Sequence, residues 1–251
     1  YVMLETGQPL HAFDYDLIDT NKIVVRMAQE NEVLTTLDQK ERKLLSEDIV
    51  ITDGKRIVAL GGVMGGFDTE ITQKSTTILL ESATFNPINI RKTSRRLDLR
   101  SEASTRFERK VDPKRTILAL DLASELFQKY ANGTVLKGNS NIDNVDYTEV
   151  VVHTSSTQIN DNLGSTLSSE EVADILRRLH FSYVRNDTEF KVTLPSRRQD
   201  MSGYQDIVEE VGRIVGYNQL PLTLPKTVSK GYLSSSQLFR RELITKYAAL
   251  G

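Results

Sequence analysis

The sequence contains no cysteine and no tryptophan, and its only histidines are His11, His153 and His180. The absence of cysteine excludes a disulfide framework, a cysteine-ligated zinc site and a thiol nucleophile. Three histidines this far apart also argue against a His-rich metal site. The apolar runs at 57–60 and 77–80 have the length of strands, far below the ~20 residues that span a bilayer. No signal peptide opens the chain, so we expect a cytoplasmic protein that does not enter a membrane.

The composition is that of a folded chain of more than one unit. Of the 251 residues, 39% are hydrophobic and 26% are charged, which is enough apolar material for cores and excludes a disordered chain. The length exceeds one average domain, so two modules are expected. The chain begins at Tyr1 inside what reads as continuing sequence and stops at Gly251 after an amphipathic run, 237–250. We therefore expect a piece of a larger subunit.

The first module is predicted to be a mixed α/β unit in a protein of the α+β class. Its β-branched and apolar runs have strand length and are separated by turn signals such as Asp53-Gly54 and the glycine pairs of 61–66. A helix with Leu118, Leu122, Leu126 and Tyr130 on one face is predicted to end at Asn132-Gly133. Polar residues from 133 to 146 then resemble a linker. The predicted strands are 22–27, 48–52, 56–60 and 76–81.

The second module is predicted to be a small winged-helix-like unit built from a helix, a hairpin and a helix. Ser168 and Glu171 form a capping box before an apolar helical face. Residues 181–194 resemble a hairpin that turns around 185–188, and a further helix after Pro195 is predicted to end at Gly216.

Positive charge is concentrated in one stretch of the chain. Between Arg91 and Arg115 there are ten basic and four acidic residues, although the overall net charge is −2. A basic band on an otherwise acidic chain fits contact with a phosphate backbone at one face. A solvated surface with internal ion pairs explains the same composition equally well.

Carboxylates cluster in the second module. Asp206, Glu209 and Glu210 stand at i, i+3 and i+4, which predicts a shared helix face opposite the apolar stripe, and Asp200 lies just upstream. Hard oxygen ligands arranged in this way suit Mg²⁺. A solvated acidic face near a helix N-terminus is the competing interpretation, and spacing alone favours it.

Three features of the first module are candidates for chemistry, and local sequence decides none of them. His11 lies in a turn-like segment, 7–14, where a lone histidine is more often structural than functional. The glycines of 61–66 follow a strand and permit a close backbone approach, but they form neither a dinucleotide fingerprint nor a Walker loop. Glu81 closes an apolar strand. Because no G-x-S-x-G elbow or Ser-His-Asp arrangement is present, any hydrolysis would use a positioned water.

Five segments, taken together, resemble the beta subunit of bacterial phenylalanine–tRNA ligase. They occur in the family's order and cover nearly the whole chain: GQPLHAFD (7–14), ALGGVMGG (59–66), ILLESATF (78–85), RRLDLRSEASTRFERKVDP (95–113) and PSRRQDMSGYQDIVEEVGRIVGYNQLP (195–221). The resemblance implies an editing domain at 1–145, a winged-helix-like domain at 146–222 and, at 223–251, the start of a truncated catalytic-like domain.

The resemblance also implies site residues for hydrolysis of tyrosine wrongly attached to tRNA(Phe). Glu81 would accept the tyrosine hydroxyl, and His11 would orient water or the terminal ribose at the ester. Many relatives have Thr at the position of Ser101, so the pocket here is expected to be slightly looser. The other implied positions are substrate contacts at Pro9, Gly65, Ser101 and Ala103, and tRNA contacts at Arg95, Arg96, Arg100 and Arg106.

For the carboxylates, the resemblance implies Mg²⁺ bound by Asp200, Asp206, Glu209 and Glu210 and shared with an alpha subunit. The intact enzyme would use ATP and would be a heterotetramer of two alpha and two beta subunits. A non-catalytic module that docks tRNA and the alpha subunit is the alternative function. DNA binding by the second module is not expected, because its acidic helix face repels phosphate.

Overall fold

The computed structural model describes residues 1–222 and 231–251. The sequence interpretation of 223–230, at the start of the predicted catalytic-like segment, lies outside the described residues. Within the two described stretches, no helix combines the length and apolarity that crossing a bilayer requires.

The first module (residues 1–132) mixes short strands with four helices. Its helices are α1 (Val2–Thr6), α2 (Pro87–Arg96), α3 (Glu102–Phe107) and α4 (Arg115–Ala131). Its strands are β1 (Leu10–Asp14), β2 (Val24–Met27), β3 (Val33–Thr35), β4 (Glu41–Lys43), β5 (Ile49–Thr52), β6 (Ile57–Leu60), β7 (Met64–Gly65) and β8 (Ile78–Ser82). The four predicted strands are confirmed as β2, β5, β6 and β8, each starting one or two residues later than expected and β8 ending one residue further on.

The strands of the first module form three antiparallel units. One sheet has the order β2-β5-β6-β7, and the two remaining pairs are β1-β8 and β3-β4. In the β1-β8 pair, Leu10 and Leu80 pack towards α4, while Phe13 and Leu79 on the opposite face pack against the core beneath β5 and β6. The β1-β8 ribbon is therefore covered on both faces.

Two sequence expectations for the first module are wrong. His11 lies in strand β1 rather than in a turn. In α4, Leu122 and Leu126 pack inward as predicted, but Leu118 is 66% and Tyr130 is 73% exposed, and Ala119 and Ala123 complete the buried line in their place. Alanine at 119 and 123 lets the helix approach the β1-β8 ribbon closely, which leucine would prevent. The predicted end of α4 is confirmed, because Asn132 adopts the left-handed conformation at its C-cap.

Residues 133–150 contain no helix or strand and are exposed. They lead into the second module (residues 151–222), which has its own apolar core around Ile159, Leu176, Phe190 and Ile207. Its elements are β9 (Val151–Ser155), α5 (Ser156–Leu163), α6 (Ser169–Arg178), β10 (Ser182–Asn186), β11 (Glu189–Thr193) and α7 (Tyr204–Val215).

The second module contains the predicted helix, hairpin and helix together with two elements that were not predicted. The Ser168–Glu171 capping box, the β10-β11 hairpin and the end of α7 at Gly216 are all present. Strand β9 adds to the hairpin in the order β10-β11-β9, and α5 packs on α7. Helix α8 (Ser235–Ala249), beyond the described part of the second module, buries none of its side chains.

Candidate functional site

The β1-β8 ribbon places His11 directly opposite Glu81 as cross-strand partners. Residues paired in this way project from the same face of a sheet, with Cβ atoms about 4.5–5.5 Å apart. Phe13 follows His11 on that face, and the two rings meet edge to face with centroids 4.5 Å apart. Phe13 is buried, so it fixes the histidine ring from one side.

Gly65 in β7 also packs against the histidine. A β-carbon added at Gly65 would lie 2.5 Å from His11 Nε2, closer than real atoms approach, so a larger residue would have to displace the ring or β7. The position of Gly65 is held by pairing with Ala59 and by the Leu37 amide, which donates to the Gly65 carbonyl at 3.0 Å. The glycine-rich segment therefore allows the histidine to lie directly on the backbone of β7.

His11 and Glu81 each have a buried polar atom without a partner. Among the described residues, neither His11 Nε2 nor Glu81 Oε2 has a hydrogen bond, and both atoms are shielded from solvent. Such orphaned atoms are uncommon in folded proteins and cost free energy, so each indicates strain, a functional role or a missing ligand. Because no arginine or lysine neutralises Glu81 in the described chain, the site can still accept a donor.

Burial changes the protonation of both groups. Removal from water raises the pKa of Glu81 to about 7, and it lowers the pKa of His11 below its ordinary value. At neutral pH the imidazole is therefore uncharged and can accept a proton, while the carboxyl group is present in both forms. A carboxyl and a neutral imidazole side by side can accept a ligand hydroxyl and orient a water molecule.

Gln8 is a residue of this region that the sequence interpretation missed. Its side chain is fully buried, and its Nε2 donates to the Ala83 carbonyl at 2.7 Å and to the Pro9 carbonyl at 2.9 Å. The bonds tie the segment before β1 to the segment after β8, just beyond the Leu10–Ser82 pair. Its Oε1 is a third buried atom without a partner. The only sequence signal for Gln8 was its position next to Pro9 in the segment 7–14.

The remaining predicted pocket residues, Pro9, Ser101 and Ala103, differ in how directly they connect to this centre. Pro9 is buried two residues before His11. Ser101 caps α3 and donates from Oγ to the Val63 carbonyl at 2.7 Å, which links α3 to the glycine-rich segment two residues before Gly65. Ala103 packs on the core that includes Val63. The structure thus brings His11, Glu81 and Gly65 together in one centre. Ser101 is linked to that centre through its hydrogen bond to the glycine-rich segment.

The four predicted tRNA-contact arginines do not form one free surface. Arg96 pairs with the buried carboxylate of Asp48, and Arg106 pairs with Glu102 at 2.6 Å. Arg100 is 3.7 Å from a carboxylate oxygen of Glu108. Arg95 is exposed and has no side-chain partner in the described part of the chain. Internal ion pairs therefore account for part of the basic band, and phosphate contact by the remaining charges stays a prediction.

The carboxylates of the second module already have partners, with one exception. Arg198 binds Asp200 at 2.6 Å and Glu210 at 3.0 Å, and Arg213 binds Glu210 at 2.5 Å. Asp206 accepts hydrogen bonds from the amides of Ser202 and Gly203 at the start of α7. Glu209 is exposed.

The expected shared face is wrong for Glu210, which is 7% exposed and lies on the inner side of α7. Across residues 1–222 and 231–251, no three Asp, Glu or His side chains converge in a way that would hold a metal ion. The donor type suits Mg²⁺, but the described chain does not by itself offer the carboxylates as a site. The predicted Mg²⁺ involves a second subunit, so that prediction stays a prediction.

The family model of the B3/4 domain matches residues 1–132, and that of the tRNA synthetase B5 domain matches residues 152–217. The chain is also similar to curated phenylalanine–tRNA ligase beta subunits. It is 43% identical to the one from Bacillus cereus and 44% identical to the one from Bacillus subtilis, each over 244 residues, which are 97% of this chain and 30% of the relative. The Streptococcus thermophilus subunit is 45% identical over 246 residues, 98% of this chain and 31% of the relative.

A solved N-terminal fragment of the phenylalanyl-tRNA synthetase beta subunit from Pyrococcus horikoshii aligns with 84% of this chain and 62% of that chain, at 15% identity and a TM-score of 0.41. In length, the chain spans about 30% of each of the bacterial beta subunits to which it is similar. The resemblance inferred from the five segments is confirmed.

Proposed function

The chain belongs to the B3/4 domain family and resembles phenylalanine–tRNA ligase beta subunits over nearly all of its length, and on this premise we propose that its first module is an editing site. The reaction is hydrolysis of the ester that joins tyrosine to tRNA(Phe). The proposal depends on one observation: His11, Glu81 and Gly65 form a single centre in which Nε2 and Oε2 are buried and lack partners.

Selectivity in this proposal comes from the tyrosine hydroxyl. A synthetic site shaped for phenylalanine gains little by excluding one hydroxyl group, so a second site that tests for the hydroxyl is useful. Glu81 Oε2 would accept the hydroxyl hydrogen of tyrosine. A phenylalanine ester would leave that buried acceptor unpaired, at a cost of about 1–3 kcal/mol. The correct product would therefore be hydrolysed more slowly.

His11 serves the ester end in this proposal. Its uncharged imidazole, held between Phe13 and Gly65, would orient a water molecule or the terminal ribose at the ester carbonyl. Ser101 and Ala103 would limit the pocket from the side of α3, and Pro9 would limit it from the segment before β1. In this proposal water is the attacking group, since the sequence has no cysteine and no G-x-S-x-G elbow.

For the whole protein we propose the wider role that the resemblance implied. The chain would be the part of a beta subunit with an editing domain at 1–145 and a winged-helix-like domain at 146–222, followed by the start of a catalytic-like domain. The complete cytoplasmic enzyme, of two alpha and two beta subunits, would load phenylalanine with ATP and Mg²⁺. Asp200, Asp206, Glu209 and Glu210 would reach Mg²⁺ only with an alpha subunit in place, because three of the four have partners within this chain.

The test is deacylation of Tyr-tRNA(Phe) and Phe-tRNA(Phe) by the chain and by Glu81→Ala. We expect the chain to release tyrosine preferentially and Glu81→Ala to lose about tenfold or more of that preference, the equivalent of one hydrogen bond to a buried charged group. Glu41→Ala removes an exposed carboxylate of β4 and is the matched control. Equal preference in the chain and in Glu81→Ala would refute the assignment of Glu81.

The second candidate function is a docking module for tRNA and the alpha subunit without hydrolysis of its own. The observation that favours it is the group of basic side chains in 91–110 that have no carboxylate partner in the described chain, Arg91, Arg95, Arg109 and Lys110. Measurable tyrosine release by the chain would exclude this candidate. Binding of tRNA without release would favour it.

A further inference from the structure

A cleft lies between the two modules, away from the His11–Glu81 centre. It has a volume of about 370 Å³ and is lined by Ile88, Arg91, Glu108, Arg109, Lys110 and Asp200 among others. Its walls are the start of α2, the end of α3 with the turn that follows, and the segment before α7.

Three hydrogen bonds hold the modules together beside this cleft. Lys110 Nζ donates to the Gln199 carbonyl at 3.4 Å, and Gln199 Nε2 donates to the Val111 carbonyl at 3.2 Å. Ser196 Oγ donates to Asp112 at 3.0 Å. The cleft is thus a feature of the folded chain that both modules build.

The charges of the cleft do not cancel. Arg91, Arg109 and Lys110 have no carboxylate partner among the described residues. The two acids of the lining are neutralised by arginines that do not line it: Arg100 lies 3.7 Å from Glu108, and Arg198 binds Asp200 at 2.6 Å. Three cations therefore face the cleft, whereas both of its anions already have counterions.

We propose that this cleft binds consecutive phosphates of an RNA backbone, and specifically those of the tRNA whose aminoacyl end enters the editing site. The inference rests on the proposed function for the identity of the RNA. Guanidinium groups bind phosphate through paired hydrogen bonds, and two of the three cations are arginines. A protein partner fits less well, because the lining contains no aromatic anchor of the kind that dominates protein interfaces.

This assignment differs from the one that the sequence implied. Arg96 and Arg106 are committed to Asp48 and Glu102, so phosphate would have to displace a carboxylate from each. Arg91, Arg109 and Lys110 have no such competitor in the described chain. In this proposal the cleft between the modules therefore takes over the phosphate contacts that had been predicted for Arg96 and Arg106.

The experiment measures binding of uncharged tRNA(Phe) to the full chain over a series of salt concentrations. For the triple variant Arg91→Gln/Arg109→Gln/Lys110→Gln we expect a salt slope smaller by about 2–3 and an affinity at least tenfold lower near 0.1 M salt, because each phosphate contact contributes about 0.7–0.9 to the slope. Arg177→Gln removes one exposed charge of α6 that does not line the cleft, and this variant should bind like the unchanged chain.

A second variant changes the affinity in the opposite direction. Glu108→Gln removes an anion from the lining and releases Arg100, so we expect binding to tighten by about twofold to threefold with a steeper salt slope. Because a misfolded variant would not bind more tightly, this result does not depend on the stability of the triple variant.

Unchanged affinity and slope in the triple variant would overturn the proposal. So would loss of alpha-subunit binding with retained tRNA binding, which would make the cleft a protein interface. Uncharged tRNA has no ester to hydrolyse, so the result is independent of whether the chain deacylates Tyr-tRNA(Phe). A failed editing assay with salt-sensitive binding at the cleft would contradict the editing function and leave the cleft assignment intact.

Discussion

One carboxylate of each module, Glu81 in the first and Glu210 in the second, shows how differently an inward-facing acid can be held. Glu81 in the first module has no counterion in the described chain and keeps a buried oxygen without a partner. Glu210 in the second module is only 7% exposed, but it is bound by both Arg198 and Arg213. The difference teaches that burial alone does not make a site. A carboxylate whose hydrogen-bonding capacity is already satisfied stabilises the fold, whereas one left unsatisfied remains available to a ligand.

We expect the largest effect from a substitution that adds a methyl group at the His11–Glu81 centre. In Gly65→Ala the new methyl group would overlap His11, so the ring or β7 must move, and a displacement of about 1 Å can cost ~100-fold in rate. We expect tyrosine release from Tyr-tRNA(Phe) to fall by about that factor while the chain stays folded, as judged by circular dichroism.

Gly138→Ala is the control for Gly65→Ala, because a β-carbon at Gly138 meets nothing within 4 Å and both variants add one methyl group. Gly138 has a positive φ, so its variant also tests whether backbone strain alone affects release. Full activity of Gly65→Ala would mean that the histidine does not need its place against the glycine. The packing around His11 would then serve the fold, as the carboxylate network of the second module does, and would not be needed for hydrolysis.

The next largest effect is on stability. Weakening the ion-pair network around Glu210 in the second module should lower the free energy of unfolding. Arg198→Met removes the cation shared by Asp200 and Glu210 and leaves Glu210 with Arg213 alone, so we expect the free energy of unfolding to fall by about 1–3 kcal/mol. Denaturant unfolding followed by circular dichroism measures this change.

The control for Arg198→Met is Arg177→Met, which breaks an exposed pair with Asp174 and should change stability by less than about 0.5 kcal/mol. Equal stabilities of the two variants would show that the network around Glu210 contributes no more than a surface ion pair. The contrast between a satisfied and an unsatisfied carboxylate would then have no energetic basis.

Sequence periodicity predicted α6, β11 and α7 of the second module because each of these elements has one buried and one exposed face. Strand β1 was missed for the opposite reason. Leu10 packs towards α4 and Phe13 packs towards the core beneath β5 and β6, so both faces are covered and the alternation that marks a half-buried strand is absent. The helix α4 and two residues of its buried line, Leu122 and Leu126, were predicted correctly, but Ala119 and Ala123 were not, because the close approach of the ribbon favours alanine over a large apolar residue.

The candidate site was beyond any local pattern. His11, Gly65 and Glu81 stand on three strands that are far apart in the chain, and only pairing of β1 with β8 and the packing of β7 against them bring the residues together. The resemblance supplied that grouping, whereas periodicity supplied none of it. Neither approach indicated that Arg198 binds two of the predicted metal ligands, since ion-pair partners depend on side-chain positions that sequence spacing does not determine.

The smallest effect that we expect is a pH dependence that distinguishes the two kinds of carboxylate. The hydrogen bond from Arg198 lowers the pKa of Asp200, and the Ser202 and Gly203 amides lower that of Asp206. For Glu210, burial acts in the opposite direction, but the hydrogen bonds from Arg213 and Arg198 still lower its pKa. These groups stay ionised near neutrality, and their contribution to stability is lost only as the pH falls below their ordinary range.

Glu81 behaves in the reverse sense, because burial raises its pKa to about 7 and any stability gained from its protonated form is lost as the pH rises through that value. The ionised form is the better acceptor for a tyrosine hydroxyl, so the preference for Tyr-tRNA(Phe) over Phe-tRNA(Phe) should rise by up to about tenfold between about pH 6 and pH 8. Glu81→Gln cannot ionise and should show a flat preference across that range. If the preference rises equally in Glu81→Gln, a group other than Glu81 must titrate. The first candidate would be His11, the cross-strand neighbour of Glu81.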